Sequence, residues 1–395
     1  MMEEIHGIKI HEDTSGPRPI RVRGTSIIGL IGEASGADAK YWPVNTPVLV
    51  SQHPDSFSEE RKLDPATNLY KALKTIFDEQ PTYVVLIRME GEIDAAKTVK
   101  LFERSESITG KTPKILCTNG YTATLVSDAV DPVLQAFTAT AKKIRAIVVT
   151  DVAVSSESFD YTDFDQYESE LEKYLKANKH HRIYPAFGKV RIQVGKTDVP
   201  VPASLLTSAL IVKNDNERRW SQSPSNIRAE SIQAIEHPVS FSLTDPKCEA
   251  NRLNKLGVAC IIKYEGAFKL WGNKGLGCLE EDTRYQFINI IRTYDIMIDS
   301  LLSSHMWAMD LGISPTYMED VATSQNIFYS RLKRDGHIVK AECIPSTERT
   351  SEDEILSGNV YWTIKWCGIY PANTLNFGVI METAYLKDFM VGGDE

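Results

Sequence analysis

Two Gly-Lys-Thr triplets, at 110–112 and 195–197, are where residue types in this sequence could first do chemistry. A phosphate-binding loop needs another glycine five positions before the glycine of the triplet, so that consecutive backbone N–H groups wrap the phosphates. That position holds Ser105 in one case and Val190 in the other, so both triplets fail. Gly275-Leu276-Gly277 lacks the third glycine of a dinucleotide fingerprint and follows a hairpin strand, so it reads as a tight turn between domains. Asp160, Asp163 and Asp165 resemble a cation loop without the glycine an EF-hand requires, and acids at a helix start account for them. His180-His181 have no second His or Cys at helical ligand spacing, and His305 beside Trp307 reads as a boundary residue. No GxSxG elbow occurs. Trp362 and Trp366, two turns of a pleat apart, read as core rather than pocket. The sequence therefore offers no catalytic, cofactor-binding or metal site, and the chain reads as a non-enzyme that needs no cofactor. The competing reading is an α/β hydrolase or transferase whose site assembles only in three dimensions.

Composition sets further bounds. At 395 residues the chain can hold two or three domains with a substantial core. Its 42% apolar and 25% charged residues are ordinary for a soluble globular protein. A net charge of −9 argues against nucleic acid as the main partner, because backbone binding needs a basic footprint. The start lacks a basic stretch leading into an apolar core, and runs such as Ser26–Ile31 are too short to span a bilayer, so no signal peptide or membrane partner is expected. Synthesis and assembly in the cytoplasm follow. The cysteines at 117, 248, 260, 278, 343 and 367 are scattered without a CxxC pair and read mostly as small core residues.

The elements that would position any site come in a definite order. Ile8 and Ile10 alternate with Lys9 and His11 in one short strand, and the following Gly16-Pro17-Arg18-Pro19 bars a helix. On chain position alone this is a disordered terminus. From Thr25 to about Leu256 strands and helices alternate, which predicts a central sheet with helices packed on it. Strands are expected at Ser26–Ile31, Pro47–Gln52, Tyr83–Arg88 and Ala146–Thr150. Helices are expected at Ala66–Phe77 with a cap at Asp64, Asp131–Ile144, Asp163–Asn178, Pro202–Val212 and Pro246–Leu256. Arg182–Val201 reads as a hairpin on the outer surface, and Gly257–Tyr264 with Phe268–Trp271 as a second hairpin. Tyr285–Leu302 is an amphipathic helix whose Arg292, Asp295 and Asp299 lie opposite its apolar face, and Thr316–Arg334 is another. Period two then predicts strands at Ile338–Ile344, Asn359–Tyr370 and Thr374–Met381.

That C-terminal series resembles a known family. WGNKGL at 271–276, the helix YQFINIIRTYDIMIDS at 285–300, HMWAMD at 305–310, and Tyr370-Pro371-Ala372 before an apolar strand resemble the C-terminal domain of contractile tail sheath proteins, especially those of P2-like phages. TATAKKIRAIVVTD at 138–151 and VPASLLTSALIVKNDNERRWSQSPSN at 201–226 are similar to the same family, whereas about 90–200 matches weakly and SRLKRDGHIVKAE at 330–342 is more polar.

The resemblance implies a mixed α/β, multi-domain structural subunit. Its parts would be an N-terminal arm (1–23), an α/β outer domain (24–270), a strand-accepting inner domain (271–382) and a C-terminal arm (383–395). Such subunits stack as six-fold rings around a tail tube and contract to drive it through the host envelope, exchanging terminal strands between neighbours. The resemblance implies an N-terminal donor strand at His6, Ile8, Ile10 and His11, and a C-terminal one at Thr383, Tyr385, Lys387 and Phe389. The acceptor sheet would contain Ile338, Lys340, Glu342, Ile344, Val360, Trp362, Ile364 and Trp366. Arg331, Lys333 and Arg334 would face the tube. The implied partners are further copies of the chain, the tail tube protein, and baseplate and tail terminator proteins, in a virion tail. A related non-virion injection machine is the alternative.

Overall fold

The computed structural model describes residues 20, 24–91, 94–122, 130–152 and 164–386. Six β-branched or apolar runs become Ile27–Glu33 (β1), Pro47–Val50 (β2), Tyr83–Met89 (β3), Ile115–Cys117 (β4), Ile147–Val152 (β5) and Ile183–Phe187 (β6). They join in one sheet, ordered β2-β3-β1-β4-β5-β6, with β2 antiparallel at its edge and the rest parallel. Between them lie the helices Asn68–Glu79 (α1), Ala95–Thr98 (α2), Ser105–Thr109 (α3), Pro132–Ile144 (α4) and Phe164–Ala177 (α5). Parallel strands need such crossovers, which cover both sheet faces. Pleat alternation divides the core accordingly. Ile28 and Leu30 join Leu69 and Leu73 of α1, while Ile27 and Ile31 join Phe137 of α4 and Leu171 of α5.

Cap chemistry sets the helix starts. α4 begins where Asp131 accepts hydrogen bonds from the N–H groups of Val133 and Leu134, in line with its sequence signal. α1 starts later than expected because Thr67, not Asp64, accepts the N–H of Tyr70. Asp64 instead accepts the Ala66 N–H in the preceding turn.

The chain continues through the hairpin Lys189–Val194 (β7) and Thr197–Pro202 (β8) into Ala203–Glu217 (α6). Short strands Arg228–Ala229 (β9) and Ala234–Ile235 (β10), then Glu249–Lys255 (α7), precede the hairpin Cys260–Tyr264 (β11) and Ala267–Trp271 (β12). Two readings change here. Residues 183–187 extend the main sheet, so only β7 and β8 form the outlying hairpin. α6 runs beyond Val212 because its polar end is buried and paired, with Lys213 Nζ donating to Glu79 Oε1 at 2.8 Å.

Ile288–Ser304 (α8), Pro315–Arg334 (α9), Ile338–Pro345 (β13), Glu352–Leu356 (α10) and Trp362–Gly368 (β14) complete the described structure. α8 is buried on nearly every side. Ile288 and Ile291 enter the core shared with the central sheet, and Met297 enters a second core with Phe328, Tyr329, Leu332 and Ile338. The expected solvent face of α8 is therefore corrected: Arg292, Asp295 and Asp299 are all buried. At i, i+3 and i+7 they form one stripe aimed at the α/β domain. Arg292 Nη1 donates to Asp215 Oδ1 at 2.6 Å, and its second amine meets Oδ2. Asp295 Oδ1 accepts from Arg182 Nη2 at 2.8 Å, and Asp299 Oδ1 accepts from Arg145 Nε at 2.7 Å beside Lys114. The stripe reads as amphipathic in sequence because complementary charges 77 to 185 residues away are invisible to periodicity.

Burial alone pushes the Asp295 carboxyl up and the Lys114 amine down, and the facing opposite charges counter both shifts. Removing one partner strands the other in the interior. Arg292→Met is expected to lower stability by about 3–5 kcal/mol, read from urea unfolding midpoints. The double variant Asp215→Leu/Arg292→Met should recover much of that loss; equal losses in both variants would show that the pairing is not what matters.

Candidate functional site

After α9 the chain forms a two-stranded antiparallel sheet, β13 with β14, from Ile338 opposite Gly368 to Pro345 opposite Trp362. Along β14 the period-two pattern is realised. Trp362, Ile364 and Trp366 are half-buried against the α8/α9 core, while Thr363, Lys365 and Cys367 point outward. Trp362 Nε1 donates to the Met318 carbonyl of α9 at 3.0 Å. Of the residues expected in an acceptor sheet, Ile338 is buried, Lys340 and Ile344 are exposed, and Glu342 lies 3.6 Å from Lys340. Val360 sits two residues before β14.

The two outer edges of this sheet differ. Asn326 of α9 accepts the Cys343 N–H at 2.8 Å and donates to the Cys343 carbonyl at 2.9 Å, which occupies the far edge of β13. No described residue pairs as a strand with the far edge of β14. An unpaired strand edge is a template for another chain's strand.

Ile369 and Tyr370 still contact Asn289, Arg284 and Phe287, and from residue 372 onward the described chain is exposed. Residues 374–381, expected as a strand, form none, because no described strand lies beside them. Leu375, Phe377, Val379 and Met381 stand 69%, 82%, 92% and 90% exposed. Thr383 and Tyr385 lie in a 3-10 turn, capped by Glu382 accepting the Ala384 N–H, rather than in an extended strand. Lys387 and Phe389 fall outside the described residues, as do His6, Ile8, Ile10 and His11. At the other end Ile20 is buried in the α8/α9 core. Arg331, Lys333 and Arg334 are exposed in the last turn of α9, where cations complement the helix dipole, and Arg331 and Arg334 approach Asp335 at 3.6 and 3.3 Å.

The sequence gives no signal for the clamp behind this sheet. The Trp220 ring stacks on His337 with centroids 4.3 Å apart and planes 8° from parallel, and Ser221 Oγ lies 2.9 Å from His337 Nδ1. Arg219 Nη1 donates to the Asp335 carbonyl at 2.7 Å. One loop of the α/β domain thus holds the turn between α9 and β13.

Other residues with chemical promise take structural roles. Gly110 ends α3 in the left-handed conformation and Gly195 turns the β7–β8 hairpin. Asp165 pairs with Arg252, whereas Asp160 and Asp163 lie outside the described residues. A cavity of about 20 Å³ lies among Lys114, Arg145, Arg292, Asp295 and Asp299, which are the charges already paired across α8. No described helix is long and apolar enough to cross a membrane. The fold does bring Glu280 to the His180-His181 pair, a convergence across about a hundred residues that ligand spacing could not show.

Residues 280–382 match the phage tail sheath C-terminal domain family. A putative prophage major tail sheath protein of Pseudomonas aeruginosa (strain UCBPP-PA14) is 27% identical over 98% of this chain and 99% of its own length. The tail sheath protein of Escherichia phage P2 is also 27% identical, over 99% and 98%. Among solved structures, the contracted helical sheath of the anti-feeding prophage superposes with a TM-score of 0.70 at 14% identity, covering 96% of this chain and 100% of that one. The contracted sheath complex of an extracellular contractile injection system gives 0.70 at 12%, over 97% and 99%. The solved structures support the mixed α/β, multi-domain fold, and the curated relatives are structural proteins, not enzymes.

The Trp220–His337 stack should be visible in the pH dependence of stability. Burial first, and then the Arg219 charge, push the His337 imidazole below its usual range, against a smaller opposing pull from Asp335. The unfolded chain therefore takes up this proton near about pH 6.5, before the folded chain does. The stability tied to neutral His337 is present above that value and lost as pH falls toward the folded pKa. Urea midpoints are expected to drop between about pH 7.5 and about pH 5.5, and to drop less in His337→Gln; an unchanged pH slope in the variant would remove His337 from the account.

Proposed function

We propose a function for a chain that belongs with the contractile tail sheath proteins: it is the repeating subunit of a virion's contractile tail sheath, stacked in six-fold rings around a tail tube. Neighbouring subunits exchange terminal strands, and contraction drives the tube through the host envelope. The observation that carries strand exchange is the run from Thr374 to Met381, apolar at alternate positions, solvent-exposed and without a described partner. We place the C-terminal donor strand there, upstream of the expected Thr383–Phe389, because Thr383–Tyr385 is already turned. The acceptor is the far edge of β14. The N-terminal donor, including Ile8 and Ile10, lies within nineteen residues upstream of buried Ile20, which extended would reach roughly 60 Å.

Magnitudes favour side chains over ladder bonds as the source of strength. About five strand hydrogen bonds give about 0.5–1.5 kcal/mol each, whereas burying Leu375, Phe377, Val379 and Met381 gives about 1.5–3 kcal/mol each. Ordering the segment costs about 1–2 kcal/mol per residue, so one arm alone is a modest link. Two donated and two accepted arms per subunit, in head-to-tail contacts that do not close, make an open helical polymer. Contraction is then a rigid-body repacking of subunits with the arms still tethered. The exposed cations Arg331, Lys333 and Arg334 face the tube, and baseplate and terminator proteins meet the two ends. The anti-feeding prophage structures favour a second reading, a sheath of a non-virion injection machine, which the packaged particle would distinguish.

Electron microscopy of the purified full chain is expected to show tubes or rings. Deleting residues 371–395 should abolish long polymers and leave a folded monomer with an unchanged urea midpoint, and deleting residues 1–19 should do the same. Phe377→Asp/Val379→Asp, which keeps the backbone donors, should shorten polymers sharply. Full-length tubes from the 371–395 deletion would refute the C-terminal donor.

A further inference from the structure

We propose that His180, His181 and Glu280 form a binding site for a divalent transition-metal ion of the Zn²⁺ type, fastening the α/β domain to the linker that leads into α8. Each residue offers one donor atom, and the three atoms lie within 4.8 Å of one another. The two imidazole rings lie side by side with centroids 4.3 Å apart and planes tilted by 33°. Glu280 bridges to this pair from the linker: Oε1 accepts the His181 N–H at 3.1 Å, and Oε2 lies 3.1 Å from His181 Nδ1. Zn²⁺ holds such donors at about 2.0–2.2 Å, so the three side chains must draw in around the ion. Two imidazoles and one carboxylate select Zn²⁺, Ni²⁺ or Co²⁺ over Mg²⁺ and Ca²⁺, which favour all-oxygen shells, and leave an open position for water.

The surrounding backbone fixes the donors' separation. A Cβ on Gly277 would fall 2.3 Å from the Tyr285 carbonyl and 3.1 Å from His181 Cβ, and one on Gly275 would fall 2.5 Å from the Ile183 carbonyl. The linker thus lies directly on the backbone that carries both histidines, and Glu280 has little freedom to move away. His180 Nδ1 accepts the Arg182 N–H at 3.1 Å, so ligation through that atom exchanges one backbone hydrogen bond for a metal bond. The bland account of the same contacts is a plain His181–Glu280 pair, and metal titration separates the two. The inference does not depend on polymerisation.

The test is calorimetric titration of ZnCl₂ into the metal-stripped full-length chain, with Co²⁺ absorption as the spectroscopic probe. One equivalent is expected to bind, with the thermal midpoint raised by Zn²⁺ and not by Mg²⁺. Glu280→Gln and His181→Asn should each weaken binding at least tenfold and abolish the visible Co²⁺ bands. Metal-free melts matching the parent establish that the variants fold; should His181→Asn fail, the near-isosteric Glu280→Gln decides. Absence of binding to the parent, or affinity unchanged in Glu280→Gln, would overturn the site.

Discussion

The buried charge stripe on α8 is the interaction on which the remaining architecture depends. An interior Arg292, Asp295 and Asp299 are tolerable only because Asp215, Arg182, Arg145 and Lys114 meet them at hydrogen-bonding distance. Apolar surfaces alone would let the helix slide or rotate at modest cost, since hydrophobic attraction has no direction. Charges of mixed sign along one stripe do not: Arg292 facing Arg182, or Asp295 facing Asp215, is repulsive. The stripe therefore sets the register of α8 on the central sheet. Through Tyr294 beside Trp366 and the Met297 core, it also sets the placement of the β13–β14 sheet.

A rigidly placed sheet with one covered and one open edge has a defined direction. Asn326 occupies the backbone groups of Cys343 on the β13 side, whereas no described strand lies along the far edge of β14. The exposed 374–381 segment is the converse element, with apolar side chains and no surface of its own to cover them. Soluble monomers seldom leave such a run in water, and when they do it marks a contact with another molecule. These two features agree with the relationship to tail sheath proteins that runs along the whole chain.

Much of this was legible in the sequence, and the misses share a cause. Local signals located α4 at its Asp131 cap, both hairpin strands of 260–271, and the alternating faces of β14. The series from Trp271 to Ala372, through its resemblance to tail sheath proteins, carries the expectation of a mixed α/β, multi-domain fold. What failed depended on distant partners. α6 runs past the Val212 end that its polar residues suggest, because Glu79 and Arg292 make Lys213 and Asp215 interior residues. Arg292, Asp295 and Asp299 lie opposite the apolar face by periodicity, yet their distant partners make them interior as well. Residues 374–381 read as a strand because period two reports side-chain alternation and not the presence of a neighbouring backbone. The Trp220–His337 stack and the His180–His181–Glu280 cluster join residues about a hundred positions apart, with no periodic trace.

The seat of Ile20 has a mechanical consequence. Ile20 is lodged in the α8/α9 core, and the Thr25 and Ser26 hydroxyls donate to Asp215, the carboxylate that grips Arg292. A pull on the N-terminus is thus met first by a lodged side chain, then by bonds rooted in α8, before it reaches β1. Load applied there is delivered to α8 and its buried partners instead of peeling the sheet strand by strand.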